Sequence, residues 1–162
     1  SATEQKNAIT QMRSDVLSEL YRQKASARTE VQSAPGYATF SNANVNVILA
    51  SFGGGYGVVR DNRSGADTYM KMGEVGLGLG AGVKDFRLVI VFHTAEAMQR
   101  FIDQGWAFGA QADAAAKAGD KGGAVGAEAS VDDVTIYQFT EAGLALQATL
   151  KGTKFWVDKD LN

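Results

Sequence analysis

Between Val75 and Val83 glycine stands at every second position: Gly76, Gly78, Gly80 and Gly82. A β-strand points successive side chains to opposite faces. One face of such a strand carries Val75, Leu77, Leu79, Ala81 and Val83, and the other carries no side chains. A second run repeats the pattern, with Gly53, Gly55 and Gly57 on one face and Phe52, Tyr56 and Val58 (joined by Gly54) on the other. Each strand glycine costs roughly 0.5–1 kcal/mol relative to alanine. For these seven positions the cost is roughly 4–7 kcal/mol, comparable to the net stability of a whole domain, about 5–15 kcal/mol. Close approach offsets it: another backbone, a helix or a ligand lies against the bare face, or the sheet curls sharply there. Packing or curvature is favoured over a ligand cleft, and these glycines are read as structural.

The rest of the chain supplies a core for such a sheet. Of its 162 residues, 45% are hydrophobic, which suffices for one domain spanning 1–162. The first segment, 1–34, reads as helical. Ser1 and Glu4 fit a capping box, and Ile9, Met12, Val16 and Leu20 recur at spacings of three and four, widened by Leu17. Lys6, Arg13 and Lys24 border one side of that stripe. Glu4, Asp15 and Glu19 border the other, with Arg22 among them. A short second helix runs from about Ser26 to Ser33, and Pro35-Gly36 ends it.

From residue 37 the period becomes two, and 37–162 reads as a glycine-rich sheet. Strands are expected at Tyr37–Phe40, Val45–Phe52 with Gly53–Val59, Thr68–Met72, Glu74–Val83 and Phe86–Phe92. The stretch Arg60–Gly65 has hairpin-loop composition, and Phe86–Phe92, the most apolar strand, is expected to lie centrally in the sheet. Thr94 caps a helix near 94–103, with Glu96 in its first turn and Ala97, Met98, Phe101 and Ile102 on its apolar face. Trp106–Ala116 fits helix or strand. Val125–Ser130, Val134–Phe139, Leu144–Leu150 and Thr153–Val157 read as strands. The expected fold class is α+β: a curled, mostly antiparallel sheet, half-barrel or sandwich-like. An N-terminal amphipathic helix precedes it, and one helix is inserted after the central strand.

Composition excludes several kinds of chemistry. Without cysteine there is no disulfide, thiolate metal site or thiol nucleophile. His93 is the single histidine, so a histidine-rich zinc site is impossible and a Ser–His–Asp hydrolase would depend on it. Its position before a helix cap fits a strand-end packing residue. Neither glycine run matches a phosphate loop or a dinucleotide fingerprint, so no cofactor is expected. Asp158–Asn162 resembles the start of a calcium loop but lacks its glycine and distal glutamate, and reads as solvated terminal charge. A formal net charge of −2 argues against nucleic acid as a partner. Neither a catalytic nor a metal-ligating set is expected.

The sorted first helix fits an anionic bilayer surface, with Lys6, Arg13 and Lys24 facing phosphates and Leu17 or Tyr21 dipping in. Arg60, Arg63 and Lys71, around the expected hairpin, form a candidate second patch. The ordinary alternative is a surface helix packed on its own domain.

From about Leu17 to the C-terminus the chain resembles the SYLF domain family. The segments carrying the resemblance are Leu20-Tyr21, Gly36–Phe40, Gly53–Val58, the ladder from Gly73 to Gly82, Asp85-Phe86 leading to Leu88–Val91, and Thr94–Phe101. Ile136-Tyr137, Gly143-Leu144, Lys151-Gly152 and Asp158–Asn162 complete it. The chain departs from the family pattern at Ser41, at Tyr69–Met72 and at His93. The resemblance implies a non-enzymatic phospholipid-binding domain, with actin contact in fungal relatives and a protein partner possible. It also implies an exported, lipid-anchored protein of the bacterial envelope (periplasm or outer membrane), although the cytoplasm is compatible with the sequence. A start at Ser1 rather than methionine fits removal of a leader. The competing expectation is an envelope structural or interaction module whose folded part binds no lipid.

Overall fold

The computed structural model describes residues 1–42, 55–74, 87–105, 125–131, 133–139 and 153–162. Among these are helices α1 (Ala2–Gln23), α2 (Ala27–Ser33) and α3 (Ala95–Gln104). The strands are β1 (Gly36–Ser41), β2 (Gly55–Asp61), β3 (Asp67–Glu74), β4 (Arg87–Phe92), β5 (Val125–Val131), β6 (Val134–Phe139) and β7 (Thr153–Val157). They form one open seven-stranded sheet in the order β5-β6-β4-β1-β2-β3-β7. Every neighbouring pair is antiparallel. The α+β expectation therefore holds, with β4 inside the sheet and a helix directly after it. Val45–Phe52, Gly53, the ladder glycines Gly76, Gly78, Gly80 and Gly82, Trp106–Ala116 and Leu144–Leu150 lie outside the described residues.

Helix α1 begins where the sequence provides a cap, the Ser1 hydroxyl accepting the Glu4 N–H at 3.2 Å. Its buried residues are Ile9, Met12, Val16 and Leu20, the stripe set by the three- and four-residue spacing. That stripe meets Tyr56, Val58, Val89, Val91, Tyr137 and Phe139, together with Ala27 and Val31 of α2. Leu17, Tyr21, Tyr37 and Tyr69 pack around this cluster. Asn62 fastens α2 to the β2–β3 turn, its side-chain amide donating to Val31 O at 3.0 Å and Ala34 O at 2.9 Å. These bonds satisfy carbonyls that the helix end would otherwise leave unpaired.

The opposite face of the sheet carries Ala38, Phe40, Val59, Met70, Met72, Leu88, Ile90, Phe92 and Phe155 against Ala97, Met98 and Phe101 of α3. Phe40 lies between Phe155 and Phe101, with ring centroids 4.9 Å and 6.0 Å away. The glycine face of β2 lies beneath this cluster. Gly57 is the cross-strand partner of Phe40, and a Cβ built there would collide with the Phe40 ring and the Thr39 carbonyl. One built at Gly55 would stand 2.5 Å from Met72 Cε and 2.7 Å from Ser41 O. At these two positions the sequence question has a definite answer: protein atoms fill the space a side chain would take.

Thr94 caps α3 by accepting the Ala97 N–H at 3.1 Å. Gly105 ends that helix with φ +69° and lies against the Phe155 carbonyl of edge strand β7. The C-terminal residues correct one expectation. Asp158 is buried rather than solvated, while Lys159 and Asp160 are exposed as expected and Leu161 joins the α1-side core. The Asn162 side chain continues the ladder beside Tyr69, accepting its N–H at 2.9 Å and donating to its carbonyl at 2.7 Å. Asp158 N also donates to Tyr69 O.

Candidate functional site

The β2–β3 hairpin register sets the site. Tyr37 pairs with Arg60, and Arg60 pairs with Asp67, so the three form one row across β1, β2 and β3. The tight turn between the strands holds that register. Asp61 N donates to Ala66 O at 2.9 Å, Gly65 N donates to Asp61 O at 2.8 Å, and Gly65 takes φ +79°. The row lies on the face that α1 covers, next to Tyr69, and α1 sends Arg13 into it.

Both arginines converge on one oxygen. Arg13 Nη1 donates to Asp67 Oδ1 at 2.8 Å, and Arg60 Nη1 donates to the same atom at 3.1 Å. Arg60 Nη1 also donates to Gly65 O at 2.7 Å. Arg13 and Asp67 are 17% and 18% exposed and Arg60 is 34% exposed, so the group is partly dehydrated yet reachable. Burial pushes the Tyr37 hydroxyl above its ordinary value, while Arg13 and Arg60 pull it back. Burial likewise raises Tyr69, with Asp67 adding to the effect. Lys6 completes this edge, its Nζ 5.5 Å from the centre of the Tyr69 ring.

Of the residues expected from sequence to face a membrane, the structure gathers Lys6, Arg13 and Arg60 here. Arg63 stands on the adjoining turn, held to Asp61 through Nε at 3.2 Å and Nη2 at 3.1 Å. Lys24 lies at the other end of α1, over the Tyr137 ring at 5.4 Å. Tyr21 faces Arg28, and Leu17 packs on the α1-side core. Lys71 is opposite Trp156, farther along β3. Asp67 and Tyr37 were not evident from side-chain type alone. The available signal was the hairpin itself, since strands flanking a turn at 61–66 bring Arg60 and Asp67 opposite each other.

His93 Nε2 lies 2.6 Å from the Thr135 hydroxyl, at the end of β4. Among the described residues there is no group of three histidine, cysteine, aspartate or glutamate side chains suited to a metal ion. No described helix is long and apolar enough to cross a membrane.

A family model, Ysc84, described as Las17-binding protein actin regulator, matches residues 73–162. Beta cell expansion factor A of Aeromonas veronii is 34% identical over 164 residues, covering 99% of this chain and 60% of that protein. The chain thus spans about three-fifths of that relative's length. The charged row lies upstream of the segment that the family model matches.

Proposed function

We propose that this chain, which belongs to the Ysc84 (SYLF) family, is a non-enzymatic, membrane-peripheral domain that binds anionic phospholipid. The binding edge is the N-terminal half of α1 together with the β2–β3 hairpin. One observation carries the reading: Lys6, Arg13, Arg60 and Arg63 gather there against two carboxylates, Asp61 and Asp67. Counting Glu4 in the first turn of α1 as well, one net positive charge remains at this edge of a chain whose formal net charge is −2. Each net basic charge near an anionic surface contributes about 1 kcal/mol. One contributes about 1 kcal/mol, roughly fivefold in affinity. Attachment of that strength is reversible and salt-sensitive, so the domain serves as one of two signals, the other being a lipid anchor or a neighbouring domain. Lys24, Lys71, Leu17 and Tyr21 act as later contacts as α1 settles on the surface. With a lipid anchor as the second signal, the reading is of an exported protein of the bacterial cell envelope.

Co-sedimentation with vesicles tests the reading. Vesicles of phosphatidylcholine and phosphatidylglycerol are expected to retain the domain at low salt and release it at high salt. Lys6→Glu with Arg63→Glu is expected to abolish retention. Equal recovery on neutral and anionic vesicles would refute the reading. The family description favours a second one, an interaction module for another protein. Capture of a defined partner by the domain, with no vesicle binding, would select it.

A further inference from the structure

We propose that Arg13, Arg60 and Tyr37 form a site for a small oxyanion of the phosphate class, for which Asp67 is a built-in competitor. The argument rests on how these charges are matched. Each guanidinium carries five N–H donors in a fork suited to two parallel bonds. Arg22 uses its fork on Glu19 through both Nε and Nη2, and Arg63 does the same on Asp61. Both are one-to-one pairs whose purpose is complete within the chain. Arg13 and Arg60 differ. Each bonds through Nη1 alone, and both bonds to Asp67 end on Oδ1. Two cations therefore share one carboxylate oxygen, with Nε and Nη2 of both arginines taking no partner among the described residues. The Tyr37 hydroxyl is a further donor, adjacent to Arg60 in the row.

A strut needs only one arginine per carboxylate. A row with surplus donors, one surplus positive charge and partial dehydration suits a ligand that accepts several charge-assisted bonds. A tetrahedral phosphate has the oxygens to bridge two forks and a hydroxyl. Its arrival would tie α1 to the hairpin, because Arg13 comes from one and Arg60 from the other. The phosphate could belong to a solute or to a phosphomonoester headgroup. Only the headgroup case rests on the membrane reading above.

The test follows the Arg13 and Arg60 Nε–H resonances while inorganic phosphate replaces chloride at constant ionic strength. Saturable shifts at both are expected. Arg60→Gln, which keeps the Arg13–Asp67 pair, is expected to weaken affinity by about tenfold, the loss of one charge-assisted bond. Asp67→Asn, which keeps the shape and removes the competitor, is expected to tighten it by about tenfold on the same basis. Circular dichroism confirms that both variants fold. A parallel arm compares phosphatidic acid, a phosphomonoester, with phosphatidylglycerol, a phosphodiester, in phosphatidylcholine vesicles. Saturation by free phosphate supports the site with a solute ligand. A preference for phosphatidic acid that Arg60→Gln removes supports it with a headgroup ligand. If the wild type and both variants respond alike to phosphate and chloride, and to the two lipids, the proposal is overturned. Vesicle binding of the phosphodiester kind would survive that result, and a phosphate response without vesicle binding would defeat only the membrane reading.

Discussion

Replacing Gly57 by alanine reverses the usual rule for strand glycines. In an open strand position alanine gains about 0.5–1 kcal/mol over glycine. At Gly57 the new methyl group enters space held by the Phe40 ring and by the Thr39 carbonyl. The ring can turn only within a cluster that also holds Phe101 and Phe155, and the carbonyl belongs to the central strand. Overpacking of that kind costs typically about 1–3 kcal/mol. The expected net effect is a loss of about 1–2 kcal/mol once the propensity gain is subtracted. For a domain of this size that lowers the melting temperature by about 2–8 °C. Thermal unfolding followed by circular dichroism measures it. Phe40→Leu in the same chain is expected to relieve part of the penalty, so the two changes should be less damaging together than their sum. A melting temperature for Gly57→Ala equal to or above the wild type would refute the packing argument.

Gly105→Ala combines a positive φ with a collision at the Phe155 carbonyl, and should cost about 2 kcal/mol or more in the same melts. Asn62→Ala removes both bonds to the end of α2 and should cost about 1–2 kcal/mol, with faster amide exchange confined to 27–34. The Glu19 carboxyl, held by hydrogen bonds from Arg22 and Gln23, is lowered from 4.5 to about 2. Its contribution is therefore complete above pH 4.5 and disappears as the pH falls toward about 2. Because the pair is exposed on the helix surface, that contribution is small. Titrating the carboxyl carbon by NMR in wild type and Arg22→Gln should show the midpoint return toward the ordinary value.

Local periodicity made much of the fold legible. The stripe Ile9, Met12, Val16 and Leu20 is buried as its spacing requires, and both helix caps lie where hydroxyl residues precede the apolar runs. Alternation also separated Tyr56 and Val58 from Gly55 and Gly57 correctly. What occupied the bare face was not legible, because Phe40 reaches Gly57 through strand pairing rather than through nearby sequence. The site shows the same division. Arg13 and Arg60 stand out as cations, but their meeting requires α1 to dock over a hairpin in the correct register. Asp67 looks like an ordinary turn residue until that register places it between two guanidinium groups. The burial of Asp158 was not legible, because it depends on pairing with the neighbouring strand β3.

The footprint of the domain on an anionic bilayer tests the account most directly. Backbone amide spectra recorded with phosphatidylglycerol nanodiscs should change at residues 6–13 and 60–67, and high salt should reverse the change. Perturbation centred instead on α3, or the same spectra with neutral and anionic nanodiscs, would contradict the assignment of the charged hairpin edge as the membrane-facing surface.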